Sequence, residues 1–331
     1  MFLGRLVVLI ILLTSQPCIA HSVVLYLANI ASNSSNAELQ QSLSSLQSVF
    51  LSKHPQKKYP VVVAYDQEDE AYLTADLQSA LRGSVETQLE FAPIRRFRHF
   101  PWPFSMYTGL YREENPYYAR LGYRFMCRYW AHTVFRQPFM QNVTQYLRLD
   151  TDSVLVEMPV DPFAVLESES LGYLSSVMYK ESPVSTTGIW ETFLRFARDE
   201  QIHPWGLAPL SGSGMDEFSE KDIREMPIRD AINVLYHRGY NLDYYYNNWE
   251  VSRVDVWTSP VYQRLAKHID AAGGIVIWRW GDAPIRTLSL FLLRDTIPSR
   301  QYRGLRVYHK AYHATPGTET LSSGPACVKE L

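Results

Sequence analysis

Apolar positions along the chain follow two alternating periods. Val23-Val-Leu-Tyr-Leu27 is a continuous apolar run of strand length, and Tyr59-Pro-Val-Val-Val-Ala-Tyr65 is a second. Between them, Ala37–Ser52 places Leu39, Leu43, Leu46 and Phe50 on one stripe at helical spacing. This βαβ opening predicts a parallel α/β sheet. Further on, Leu121–Met140 carries Phe125, Tyr129 and Val134 at helical spacing and predicts a helix ending near Gln137-Pro138, because the residue before a proline avoids helical backbone. The apolar segment Gln145-Tyr-Leu-Arg-Leu149 then reads as a strand. Gly206–Glu220 contains Ser211-Gly-Ser-Gly214 but opens no strand-to-helix turn, so it reads as a flexible loop and not a phosphate cradle. No internal repeat or domain break appears, and residues 21–331 are expected to form one large α/β domain.

Composition excludes several classes. With 331 residues, 46% hydrophobic and 13% aromatic, the chain can bury a substantial core. A formal charge of −2 leaves no basic excess for phosphate neutralisation, so nucleic acid is not expected as a partner. Residues 1–20 combine Arg5, the apolar run Leu6–Leu13 and small residues up to Ala20, the pattern of a secretory signal. The run is short for about 30 Å of hydrocarbon, which favours cleavage over the alternative, a single-pass membrane anchor. The sequons at Asn33 and Asn142 fit a lumenal chain. Of the three cysteines, Cys18 leaves with a cleaved signal; Cys127 and Cys327 either pair or remain thiols, and no zinc pattern is present.

The strand Gln145–Leu149 runs into Asp150-Thr-Asp152. In extended backbone, residues two apart project to one side, so both carboxylates can face the crevice at a strand's carboxyl end, where α/β sheets bind ligands. Such a pair suits Mg²⁺ or Mn²⁺ held against a diphosphate. An Asp-x-Asp is also common in turns, and a rival acidic cluster, Asp66-Gln-Glu-Asp-Glu70, precedes the helix-like Ala71–Leu81; there the acids read as a solvated helix start. Arg95-Arg-Phe-Arg-His99 reads as a solvated or acceptor-facing loop.

Three other segments change the picture: Tyr123-Arg-Phe-Met-Cys-Arg128, Tyr246-Asn-Asn-Trp-Glu-Val251, and the run from Gly273 to Ile285 with Arg279-Trp-Gly-Asp-Ala-Pro284 at its centre. With these the chain resembles, from about Val23 to Tyr312, the fungal-type α-1,2-mannosyltransferases of the Kre2/Mnt1 kind, glycosyltransferase family 15. The resemblance implies a GT-A type nucleotide-sugar-binding fold, a Rossmann-like mixed sheet flanked by helices. It further implies a Golgi enzyme that uses Mn²⁺ to move mannose from GDP-mannose to a mannose 2-hydroxyl of a glycan or glycoprotein, with retention. Asp150 inherits a metal role, Asp152 joins it, and Val307-Tyr-His-Lys-Ala-Tyr312 selects His309 as a further ligand, with His313 as competitor. Glu250 takes the place of the family's candidate nucleophile, which either attacks the anomeric carbon or stabilises its developing charge. Tyr123 matches an active-site tyrosine. Arg124 and Arg128 are implied partners of phosphate or acceptor, Asp282 of acceptor hydroxyls, and Trp278 or Trp280 of a sugar face, with core packing expected for one of the two.

Two departures stand out. Ala28-Asn29 replaces a family Arg-Asn pair that helps hold the nucleotide, and Trp130-Ala-His132 replaces small polar residues. The resemblance implies a retaining α-1,2-mannosyltransferase, and the two departures leave the donor open to a hexose other than mannose. The alternatives are a transferase of the same fold using another nucleotide sugar and a non-catalytic glycan-binding relative.

Overall fold

The computed structural model describes residues 22–105, 121–212 and 218–309. The segment 1–20, His313 and Cys327 lie outside the described residues. The strands are β1 (Ser22–Ala28), β2 (Val61–Asp66), β3 (Leu89–Ile94), β4 (Gln145–Leu149), β5 (Ser153–Glu157), β6 (Tyr173–Ser175), β7 (Met178–Lys180), β8 (Asp243–Tyr245), β9 (Trp249–Arg253), β10 (Ser299–Gln301) and β11 (Arg306–His309). Seven of them form one sheet in the order β10-β6-β9-β4-β1-β2-β3. All its pairings are parallel except those of β9 with β4 and β6. The sheet is thus mixed, and β9 brings its amino end to the rim where β1, β2 and β4 end.

The βαβ opening forms as its pattern requires. β1 and β2 pair in parallel, and the helix Asn33–Val49 between them buries Leu39, Leu43 and Leu46 with the following Phe50. That helix begins before the apolar stripe because Ser32 caps it, accepting from the Ser35 amide. One face of the sheet is closed by this helix together with Phe163 and Trp249. The other is covered by Trp130, Phe135, Trp190, Phe193, Trp257 and Trp280.

Two expectations are corrected by packing. The segment Leu121–Met140 is one α-helix only over Leu121–Arg128; it continues as a π-helical turn, Tyr129–Thr133, and two short 3₁₀ turns. The wider turn seats Tyr129, Trp130, Ala131 and His132 together in the interior. Gly206–Leu210, read as the start of a flexible loop, belongs to the 3₁₀ segment Pro204–Leu210, which is largely buried. Gly206 is required there because a β-carbon would lie 2.0 Å from the Phe291 carbonyl oxygen.

This contact generates a paired prediction. Gly206→Ala should lower unfolding free energy by about 3 kcal/mol in denaturant titration, since the collision is with backbone. Gly122→Ala, whose β-carbon meets nothing within 4 Å near the start of a helix, should be neutral or slightly stabilising. Equal effects would remove the packing account of Gly206.

Candidate active site

The rim above β4 collects the expected metal ligands. β4 ends at Leu149, Asp150 donates its amide to the Asn248 carbonyl at 3.0 Å, and the chain turns through Asp152 into β5. β5 pairs antiparallel with β11 so that His309 stands opposite Ser153. That register brings the His309 Nε2 to 3.0 Å from Asp152 Oδ1. One potential ligand atom from each of Asp150, Asp152 and His309 lies within 4.8 Å of the others, which suits a divalent cation with bonds of about 2.1–2.4 Å. Two carboxylates and an imidazole are donors that Mn²⁺ accepts. Tyr246 Oη lies 2.9 Å from His309 Nδ1 and fixes the ring's orientation. Burial alone would lower the His309 pKa, but Asp152 and Asp150 outweigh it, so the imidazole is raised above its ordinary value and holds a proton more tightly.

A cation the sequence reading missed ties this rim to the Arg279–Pro284 segment. Arg148, 1% exposed, donates from Nε to Asp150 Oδ1 at 3.1 Å and from Nη1 to Asp282 Oδ2 at 2.6 Å. Its guanidinium stacks 4.1 Å over the Trp130 ring. Burial opposes its charge, while Asp150, Asp282 and Glu250 favour it more strongly and raise its pKa. Asp282 also accepts from Asn247 Nδ2 at 2.7 Å. The signal was present in the sequence: an arginine stands on the inward-facing side of an otherwise apolar strand, where a charge needs partners.

The turn Trp278–Gly281 lies beside this network. Arg279 adopts left-handed backbone and stacks 4.0 Å over the half-buried Tyr123 ring. Trp278 is 42% exposed, whereas Trp280 is 2% exposed and donates from Nε1 to the Thr187 carbonyl at 2.7 Å. The expectation that one tryptophan packs in the core is met by Trp280; a sugar-stacking role for Trp280 is corrected, and Trp278 is the ring left accessible.

Arg124 and Arg128 are also reassigned. Arg124 is 1% exposed and donates to the Ile275 and Val276 carbonyls at 3.2 and 2.7 Å, satisfying the end of the short helix Gly274–Ile277. Arg128 forms a two-pronged pair with Asp270 at 2.9 and 2.8 Å. Neither sits with the aspartates of the rim. The acidic cluster departs from its solvated reading as well: Asp66 and Asp69 are buried and clamped by Arg98 at 2.7 and 2.6 Å.

Glu250 lies deeper than a group exposed to substrate would. It faces Arg148 in the β4–β9 register, two residues or about 7 Å below the rim at Asn248. It is 0% exposed; Oε1 accepts from Tyr146 at 2.9 Å and faces Arg286 Nη1 at 3.1 Å, and Oε2 accepts from Tyr173 at 2.8 Å. A cavity of about 350 Å³ lined by Gly172, Arg253 and Asp255 opens at the opposite edge of the sheet and does not include these groups.

Comparison with known proteins fits this geometry. The KTR1 α-1,2-mannosyltransferase of Saccharomyces cerevisiae is 26% identical over 208 residues, covering 62% of this chain and 48% of its own length. The glycolipid 2-alpha-mannosyltransferase of the same yeast is 23% identical over 301 residues, covering 88% and 62%. The chain thus spans about half the length of curated relatives such as KTR1 and the probable mannosyltransferase KTR3. Among solved structures, core-mannan synthase A (CmsA/Ktr4) of Aspergillus fumigatus in its Mn/GDP form matches with a TM-score of 0.69 at 19% identity, covering 88% of this chain and 74% of that one. Ktr4p of S. cerevisiae in complex with GDP matches at 0.67 and 18%, covering 94% and 77%. These likenesses establish the mixed-sheet fold that the resemblance implied. Because the family model described as glycolipid 2-alpha-mannosyltransferase matches residues 19–330, the chain belongs to that family.

Proposed function

We propose that this protein is a lumenal, Mn²⁺-dependent, retaining α-1,2-mannosyltransferase that moves mannose from GDP-mannose to a mannose hydroxyl of a protein-linked glycan. The observation that carries this is the convergence of Asp150, Asp152 and His309 at the carboxyl edge of the sheet, joined through Arg148 to Asp282 in the Arg279–Pro284 segment. Mannosyltransferases among its relatives support mannose as the sugar, and a relative solved with manganese and GDP supports the metal and the nucleotide. A lumenal location is consistent with the exposed sequon asparagines Asn33 and Asn142 and with the apolar start.

Held at this site, Mn²⁺ would neutralise the diphosphate as it leaves. The chain's own residues supply the rest. Arg148 fixes Asp150 for the metal and Asp282 for the sugar hydroxyls from a position buried beneath both. Tyr123 and Arg279 form a stacked wall, and exposed Trp278 offers a ring to a pyranose face. Of the two roles open to Glu250, the geometry favours charge stabilisation over attack, because both its oxygens are engaged and none is exposed. Its negative charge acts from below on the positive charge developing at the anomeric carbon.

Turnover should be greatest with GDP-mannose when a panel of nucleotide sugars is offered with methyl-mannoside as acceptor, and NMR of the product should show an α-1,2 linkage. Turnover with only a different nucleotide sugar would assign another donor; none with any would leave the glycan-binding relative. Asp152→Asn and His309→Ala should each weaken GDP binding in Mn²⁺ by roughly tenfold or more and change little after chelation. Equal affinity of wild type and variants in saturating Mn²⁺ would disprove the metal site. Glu250→Gln leaves the buried Arg286 uncompensated and should cost about 3 kcal/mol of stability. Measured on the folded protein, its kcat should fall by roughly 10²-fold with donor affinity nearly unchanged. A folded variant with wild-type kcat would confine Glu250 to a structural role.

A further inference from the structure

The loop after β3, Arg95-Arg-Phe-Arg-His99, sends its cations in two directions. Arg98 turns to Asp66 and Asp69, while Arg95, Arg96 and His99 line a cavity of about 230 Å³ with Arg128 and Arg136 from the Leu121–Arg136 segment. Among the described residues no carboxylate lines this cavity, in a chain whose formal charge is −2. Arg128 is answered from behind by Asp270, and Arg136 donates to the neutral amide of Gln263 at 3.0 Å. Arg95, Arg96 and Arg136 form no ion pair among the described residues. Among the described residues, the charge at the cavity that no carboxylate pairs is thus that of three arginines.

Three further features distinguish the cavity from a solvated basic face. Phe97, Phe125 and Tyr129 contribute to its wall. Tyr129 is 1% exposed and has Arg148 as a charged neighbour, so this wall is part of the packed interior and not a solvated face. Arg96 holds a φ of 56°, a left-handed backbone that costs a non-glycine residue about 1–2 kcal/mol and tends to persist where function requires it.

We propose that this cavity is a second ligand site that takes the phosphate ester of a sugar. Arginine forks match the paired oxygens of a phosphate, which Arg95, Arg96 and Arg136 can share. The volume falls below the roughly 300 Å³ of a drug-sized pocket and suits a single phosphorylated ring, not a nucleotide sugar. The aromatic wall provides for the apolar face of the pyranose. The site's arginine loop follows β3, three strands or roughly 14 Å across the sheet from β4, while its opposite wall at Tyr129 adjoins Trp130, the ring under Arg148. The site would hold a phosphorylated glycan beside the catalytic rim, and its existence does not depend on the identity of the donor.

The test fills the donor site with GDP and Mg²⁺ and then titrates the full chain with mannose 6-phosphate, inorganic phosphate and mannose by calorimetry. Mannose 6-phosphate should bind, inorganic phosphate should bind about fivefold more weakly or worse, and mannose should give no heat attributable to this site. Arg95→Ala combined with Arg96→Ala, both exposed, should weaken mannose 6-phosphate at least about tenfold with an unchanged melting temperature, and Arg136→Gln should weaken it independently. The site is refuted if no phosphate-dependent binding occurs or if the variants bind as wild type does. Inorganic phosphate binding as tightly as mannose 6-phosphate would overturn the sugar-phosphate assignment.

Discussion

A buried positive charge organises the rim of this sheet. Arg148 lies in the middle of the structure, where a lone guanidinium would be intolerable, and its cost is offset only while Asp150, Asp282 and the Trp130 ring stay in place. The ends of β4 and of the Asp282–Leu292 helix, far apart in sequence, are therefore held in register by one side chain. Displacing any of the three partners would leave a charge in a low-dielectric setting.

A second buried ion pair lies one layer further in. Arg286 faces Glu250, donates to the Tyr146 hydroxyl at 2.8 Å and the Trp130 carbonyl at 2.6 Å, and stacks 4.3 Å from the Trp257 ring. Tyr146 and Tyr173 complete the carboxylate's hydrogen bonds. Burial together with the Glu250 charge keeps the Tyr173 hydroxyl well above its ordinary pKa, so it remains a donor across the physiological range. The two layers share Trp130 and the face of the sheet on which β4 and β9 meet, so the charge at Glu250 and the candidate ligands at the rim are packed together.

Much of this was legible in the sequence because it is local. The run at Val23, the stripe through Leu39 and Leu46, and the strand ending in Asp150 each encode their structure within a few residues. The Asp150-Thr-Asp152 pair is legible locally and His309 only through the family resemblance, and the β5–β11 register that joins them is a contact between residues some 150 positions apart, which periodicity does not report. The antiparallel placement of β9 is likewise non-local. Arg124 and Arg128 are implied as ligands only by the family motif around Tyr123; their partners, the carbonyls of Ile275 and Val276 and the carboxylate of Asp270, come from distant segments. Gly206 misled because glycine, serine and proline favour loops, while its role is to admit the Phe291 carbonyl at close range.

The two-stranded ribbon of β5 and β11 has a consequence for how ligand binding and folding are linked. β5 is pinned to the helix Asn33–Val49, where Ser42 donates to the Ser153 carbonyl and Ser45 accepts from the Leu155 amide. β11 contacts the body mainly by pairing with β5, and such a pair is marginal when alone. Detachment of β11 would carry His309 away from the aspartates and break the triad without unfolding the sheet. An occupied cation site would then draw part of its apparent affinity from closing the ribbon, and the ribbon in turn would owe its persistence to the cation. Amide exchange at Val307 and Tyr308 would serve as a gauge of site occupancy, reporting on an ion that neither residue touches.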